Sequence, residues 1–190
     1  VGLISTVVNK IHAEKVDSTH TTPNALDLNE LLSRMVERGC LYCFMEVSSH
    51  AVDQKRIAGV NFAGGVFTNI THDHLDYHET FSEYRDVKKA FFDELPRTAF
   101  SLVNVDDKNG LFMLQNTASK KHTYALKIYA DYRAKILENQ LNGLLLKIND
   151  NEVWSKLIGN FNAYNVLAIY GTADLLGLES AEILRLLSAL

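Results

Sequence analysis

The segment His72-Asp73-His74-Leu75-Asp76-Tyr77-His78 packs three histidines and two aspartates into seven residues. Imidazole and carboxylate oxygen are common ligands of divalent metals. The cluster therefore reads as metal or phosphate chemistry, with a merely polar loop as the plain alternative. A second cluster is Glu46-Val47-Ser48-Ser49-His50, followed by Gln54 and Arg56. Glu46 is either a solvated carboxylate or a cation ligand, and Ser48, Ser49 and His50 either cap the next helix or hold a substrate. Lys88 lies in a run whose apolar residues Phe81, Tyr84, Phe91, Phe92 and Leu95 fall on one helical face at about 100° per residue, while Lys89 points elsewhere. A lysine in such a stripe either snorkels to the rim or is desolvated to a reactive, uncharged amine. Thr21-Thr22-Pro23 and Asn160-Phe161-Asn162-x-x-Asn165 precede helices. Capping is their bland reading, and recognition of a sugar or base is the sharper one for the asparagines.

The elements that must position these residues alternate. Val1 to Ser5 reads as a buried parallel strand. Asn24 to Arg38 has helical spacing and is followed by Gly39, with a threonine of Thr19 to Pro23 as a candidate cap. Strand Leu41 to Val47, short helix Ala51 to Ile57, strand Ala63 to Asn69 and helix Phe81 to Leu95 follow. After them come strand Ala99 to Val103, helix Lys108 to Gln115 and strand Thr123 to Leu126. This alternation predicts an α/β fold, a mostly parallel sheet flanked by helices. Beyond Ile128 the texture changes. Runs at Ile136 to Glu138, Leu144 to Ile148 and Val153 to Leu157 are separated by Asn142-Gly143 and Asn149-Asp150-Asn151 turns, which predicts a small antiparallel sheet. Helices Ala163 to Leu176 and Ser180 to Leu190 close the chain. In an open parallel sheet, ligands bind beyond the carboxyl ends of the strands, where both polar clusters fall.

Bulk properties narrow the function. The 190 residues are 47% hydrophobic and 22% charged, enough for one domain with a real core. A net charge of −4 with scattered Lys and Arg argues against nucleic acid as a partner. No apolar run approaches the roughly 20 residues that span a bilayer and no signal peptide is legible, so no membrane insertion and a cytoplasmic location are expected. Cys40 and Cys43 form a C-x-x-C, but zinc wants about four ligands and the motif runs into a strand. Two buried core cysteines are expected.

In this order the segments resemble the Mur ligases, ATP-dependent enzymes that build the peptide stem of peptidoglycan. The matching stretches are Thr21-Thr22-Pro23, Met45-Glu46-Val47-Ser48-Ser49-His50, Phe67-Thr68-Asn69-Ile70 with Asp73-His74-Leu75-Asp76-Tyr77-His78, the Lys88 helix, Val103-Asn104-Val105-Asp106-Asp107 and Gly159-Asn160-Phe161-Asn162-Ala163-Tyr164-Asn165. They cover essentially the whole chain. The Glu-Val-Ser-Ser-His and Asp-His-Leu-Asp-Tyr-His forms are most similar to members that add the third residue, meso-diaminopimelate or L-lysine.

The resemblance implies a P-loop NTPase-like central domain over residues 1–190 and an acyl-phosphate mechanism. ATP would phosphorylate the D-glutamyl carboxylate of a UDP-muramoyl-dipeptide, and the amine of a diamino acid would then expel phosphate. It implies two Mg2+ ions, with Glu46, His74 and Lys88 as ligands and catalytic residues. Lys88 would be carried as a carbamate formed from CO2. Thr21, Thr22, Ser48, Gln54 and Arg56 match positions that hold the muramoyl peptide, and Asn165 matches a nucleotide contact. His50, His72 and His78 match without an assigned role. The family's phosphate loop, its N-terminal uridine-binding domain and its C-terminal amino-acid-binding domain are not in this sequence. The chain alone is therefore expected to be inactive and to be poorly stable or to self-associate. The competing enzyme is a metal-dependent hydrolase using His72, His74, Asp76 and His78, whose spacing misses the H-x-H-x-D-H of metallo-β-lactamase-like hydrolases by one residue. A non-catalytic nucleotide-binding or interaction domain is the other alternative.

Overall fold

The computed structural model describes residues 1–18, 20–71 and 77–190. They form two compact units, Val1–Asn61 with Asp76–Ala90, and Phe62–Leu75 with Phe91–Leu190.

The first unit is built on strands β1 (Gly2–Ile4), β2 (Asn9–Ile11), β3 (Glu14–Val16) and β4 (Cys43–Met45), in the order β3-β2-β1-β4. β1 and β4 pair in parallel, Ile4 opposite Met45, while β2 and β3 form an antiparallel hairpin on the other side of β1. The hairpin is not legible in the sequence, because its turn is His12-Ala13, with His12 at φ 53°, rather than a glycine or asparagine pair. Helix α1 (Ala25–Glu37) buries Leu28, Leu31 and Met35 along one stripe. Its cap is Asn24, whose side chain accepts from the Leu26 and Asp27 amides, so no threonine serves there. Helix α2 is short (Ser49–Asp53) and capped by Ser48, which accepts from the Ala51 amide.

Cys40 is half-buried and Cys43 exposed, which corrects the expectation of two core cysteines. β4 is an end strand of its sheet, so one of its sides has no strand to bury it. Loss of water around the Cys43 thiol, with a smaller contribution from Cys40, pushes it up to about 11. That is the opposite of what a redox cysteine needs.

The second unit holds β5 (Gly64–Phe67), β6 (Phe100–Asn104), β7 (Lys120–Ala125), β8 (Tyr132–Gln140), β9 (Gly143–Ile148) and β10 (Asn151–Ser155), in the order β10-β9-β8-β7-β6-β5. β5 to β8 pair in parallel and β8 to β10 antiparallel. The antiparallel strands are thus continuous with the parallel ones through β8. Asn149, at φ 52°, makes the expected β9–β10 turn. Helix α3 (Phe81–Asp93) belongs to the first unit up to Ala90 and to the second from Phe91. Helix α4 (Gly110–Met113) follows β6, and α5 (Asn160–Leu175) and α6 (Ser180–Leu187) close the chain. Leu102, Tyr124, Leu144, Leu146, Leu167 and Ile183 form the centre of the core, each almost wholly excluded from solvent.

Lys89, at 6% exposure, is the buried lysine of α3, and Lys88 is half-buried. Tyr84, Phe92 and Leu95 of the expected stripe are buried, and burial extends round the helix to Lys89, which corrects the expectation that this lysine points elsewhere. Among the described residues no helix is long and apolar enough to cross a membrane.

A Cβ at Gly110 would collide with the carbonyl oxygen of Asn104, a backbone atom that cannot rotate away. Gly110→Ala should cost about 1–3 kcal/mol through overpacking, read as a lower urea midpoint with an unchanged denaturant slope.

Candidate functional site

Two polar sites form, one in each unit, and each lies at the carboxyl ends of parallel strands. In the first, β1 and β4 deliver Thr6 and Glu46. The Glu46 Oε2 accepts from the Thr6 hydroxyl at 2.6 Å and the Thr6 amide at 2.9 Å. Thr6 Oγ1 also lies 3.1 Å from Thr21 Oγ1. The carboxylate is exposed, and its Oε1 has no partner among the described residues, which suits a hard cation that takes oxygen ligands.

Thr22 is fully buried. Its hydroxyl donates to the Glu46 carbonyl at 2.8 Å and accepts from the Ser48 amide at 3.2 Å, which joins the segment before α1 to the turn between β4 and α2. Arg56 donates to the Thr22 carbonyl at 2.9 Å and grips Gln54 Oε1 with Nε and Nη2 at 2.9 and 2.6 Å. Gln54 in turn donates to the Tyr77 hydroxyl, which donates to Asp53 at 2.7 Å. Thr21, Glu46, Ser48, Gln54 and Arg56 are therefore joined, through Thr6 and the buried Thr22, into one hydrogen-bonded patch with a guanidinium in it, able to take an anionic, polyhydroxylated ligand.

Lys88 reaches the same unit through aromatic contacts. Its Nζ lies 5.3 Å from the centre of the Tyr84 ring, and that ring stacks on His78 at 5.3 Å. His78 is 1% exposed and shares a hydrogen bond of 2.9 Å with Ser49 Oγ. A ring so enclosed is a poor metal ligand, which removes one member of the proposed hydrolase set. His72, His74 and Asp76 lie outside the described residues. Among the described residues no group of three or more His, Cys, Asp and Glu side chains is arranged around a cation.

The second site is a cavity of about 330 Å³ lined by Thr68, Asn69, Asn104, Asp106, Asp107, Phe161, Tyr164 and Asn165. The segment just after β5 supplies the first two residues, the end of β6 and the turn after it the next three, and the start of α5 the rest. Asp107 receives the Ile70 amide at 3.2 Å and the Asn109 amide at 2.8 Å, and Asn104 donates to the Thr68 carbonyl at 2.9 Å. Gly159 stands at the cap of α5 without any side-chain cap bond. Asn162 instead donates to the Ile158 carbonyl at 2.9 Å, and Asn165 donates to Asn162 at 3.1 Å. The asparagines are therefore not caps, and Asn165 is left facing a cavity next to an aromatic ring, Phe161, that is 68% exposed. Amide and aromatic groups in such a cavity suit a heteroaromatic base.

A family model of the Mur ligase middle domain matches residues 1–173. The chain belongs to the Mur ligase family. It is 58% identical over its full length to the UDP-N-acetylmuramoyl-L-alanyl-D-glutamate--2,6-diaminopimelate ligase of Phocaeicola vulgatus and 55% identical to the ligase of the same name from Cytophaga hutchinsonii. In both cases it spans 39% of the relative's length. A solved structure of a ligase of that name superposes with a TM-score of 0.86 at 28% identity, covering all of this chain and 40% of the other. The hydrogen-bonded patch and the cavity both lie within the residues that the family model matches.

Thr6, Asp106 and Tyr164 had no assigned role in the sequence reading, although an Asp-Asp pair directly after a strand is the kind of signal that marks a binding edge.

Thr22→Val should destabilise the protein by about 1–3 kcal/mol, because it strands a buried carbonyl and amide, whereas Thr22→Ser should recover most of that in thermal unfolding.

Proposed function

We propose that this chain is the ATP-handling middle part of a ligase that joins 2,6-diaminopimelate to UDP-N-acetylmuramoyl-L-alanyl-D-glutamate. The observation that carries the reading is full-length similarity above half identity to two relatives that both bear that name. The chain spans 39% of those relatives, so on this reading the reaction belongs to the longer protein, in the cytoplasm where its nucleotide-linked substrate is soluble.

When bound, ATP supplies the phosphoryl group that activates the D-glutamyl carboxylate, and Mg2+ offsets the charge that gathers there. The amine of diaminopimelate then displaces phosphate. This chain's residues bind and orient. Arg56, braced by Gln54 and Thr22, meets anionic groups of the muramoyl substrate, with Thr21 and Ser48 beside it. Glu46, held by Thr6, offers a carboxylate oxygen to a cation, and His74 would serve the second one. Lys88, half-buried against Tyr84, would take up CO2 as a carbamate, which turns a cationic side chain into an anionic oxygen ligand. Asn165 and Phe161 receive the nucleotide base in the cavity of the second unit. The zinc hydrolase reading has no such support, because His78 is committed to Ser49 and Tyr84.

The full-length ligase should release phosphate from ATP only when both UDP-N-acetylmuramoyl-L-alanyl-D-glutamate and diaminopimelate are present, with L-lysine as the comparison amine. Lys88→Ala and Arg56→Ala should each lower the rate, Lys88→Ala by about 100-fold or more, the scale of a lost charge-stabilising group. Release that ignores both precursors would sink the reading, and a preference for L-lysine would correct the third residue.

A further inference from the structure

The carboxylate of Asp106 accepts four hydrogen bonds. Its Oδ2 accepts the amides of Leu126 at 2.7 Å and Lys127 at 2.9 Å and the hydroxyl of Tyr164 at 2.9 Å, and its Oδ1 accepts the Ile128 amide at 3.3 Å. Three consecutive backbone N–H groups and a phenol surround one charge. Asp106 lines the cavity, yet all four of these bonds go to donors of this chain, three of them at Oδ2.

Its bonds run to two segments far apart in sequence. One is the loop after β7. The other is the first turns of α5, where Tyr164 immediately precedes Asn165. α5 lacks a side-chain cap, and Asn139 on β8 ties its beginning through Asn160 at 2.9 Å and Gly159 at 3.3 Å. Those contacts hold the start of the helix, and the bond from Tyr164 adds to the core packing of Ala163, Val166 and Leu167 in holding its rotation about its own axis. Rotation is what decides where Asn165 points, since one residue on a helix subtends about 100°. A hydrogen bond to an ionised acceptor is roughly twice as strong as a neutral one, which suits a tether that must hold an orientation.

We propose that Asp106, itself held by the amides of residues 126–128, is a positioning residue of the nucleotide cavity, one that sets through Tyr164 the orientation of Asn165. The proposal rests on the nucleotide reading of the cavity given above. It explains why an acidic residue stands in a site meant for a polyanion: its charge is spent on the backbone, and the base end of the ligand, rather than the phosphates, faces it.

The test uses the full-length ligase and a matched control. Tyr132 donates to Asp174 at 2.7 Å, another phenol-to-carboxylate bond to α5, but neither residue lines the cavity. Tyr164→Phe should raise the KM for ATP and the Kd for ADP, the latter by calorimetry, roughly 3- to 10-fold. Its kcat should stay within about twofold and the KM for the muramoyl substrate should not move. Asp106→Asn, which replaces an acceptor with a donor, should raise both constants further. Tyr132→Phe should leave both constants unchanged while lowering the melting temperature about as much as Tyr164→Phe does.

If Tyr164→Phe and Tyr132→Phe behave alike towards ADP and ATP, the tether is merely structural and the proposal fails. If Asn165→Ala weakens ADP binding but Tyr164→Phe does not, the proposal fails while the nucleotide reading stands. If Asn165→Ala also leaves ADP binding unchanged, the nucleotide reading itself is overturned, and the proposal with it.

Discussion

Where a parallel strand ends, its chain turns away and its last amides and carbonyls lose their ladder partners. Buried backbone groups of this kind must be paired, and at both sites of this protein the partners are side-chain oxygens supplied by short polar residues. Thr22 closes the end of β4 by bonding the Glu46 carbonyl and the Ser48 amide. Asn104 closes the end of β5 at the Thr68 carbonyl, and Asp106 and Asp107 take the amides of the flanking loops. The same residues that satisfy the backbone therefore shape the surfaces on which ligands would sit. Function here is built out of a structural necessity of parallel sheets.

This arrangement explains the contrast between the two sites. The first unit gathers hydroxyls, a carboxylate and a guanidinium, each braced by another, as suits a charged and hydroxyl-rich ligand. The second has its carboxylates consumed by backbone amides, and what remains open is amide and aromatic surface. Burial and the Asp106 contact together push the Tyr164 hydroxyl up to about 12, so it remains a hydrogen donor throughout the physiological range. Among the described residues no buried side-chain nitrogen or oxygen lacks a partner.

Much of this was legible. Every long helix and the parallel strands β5 to β7 fall close to where periodicity put them, because their apolar spacing is unambiguous. The residues that cluster around Arg56 were named from motifs, and five companions of it do meet there. What misled was local and has identifiable causes. The β2–β3 hairpin turns at His12-Ala13, which carries no turn signal. Asn24, not a threonine, caps α1, since the cap is set by which residue leaves helical backbone, not by which could serve. Cys43 is apolar in type but lies on an end strand. The asparagines before α5 look like caps and instead bond one another and the Ile158 carbonyl.

The sequence by itself determined the α/β class, the order of the elements outside the β2–β3 hairpin, the family and the chemical types available at the strand ends, because these follow from local periodicity and from short motifs contiguous in the chain. Only the tertiary structure decided which of two neighbouring lysines on α3 is buried, that His78 turns inward to Ser49 rather than outward, and that Asp106 reaches loop amides and Tyr164 together. Those outcomes depend on side chains 20 to 60 residues apart competing for the same few ångströms. No local pattern records that competition, since it is settled by packing and by the cost of leaving a buried polar group unpaired.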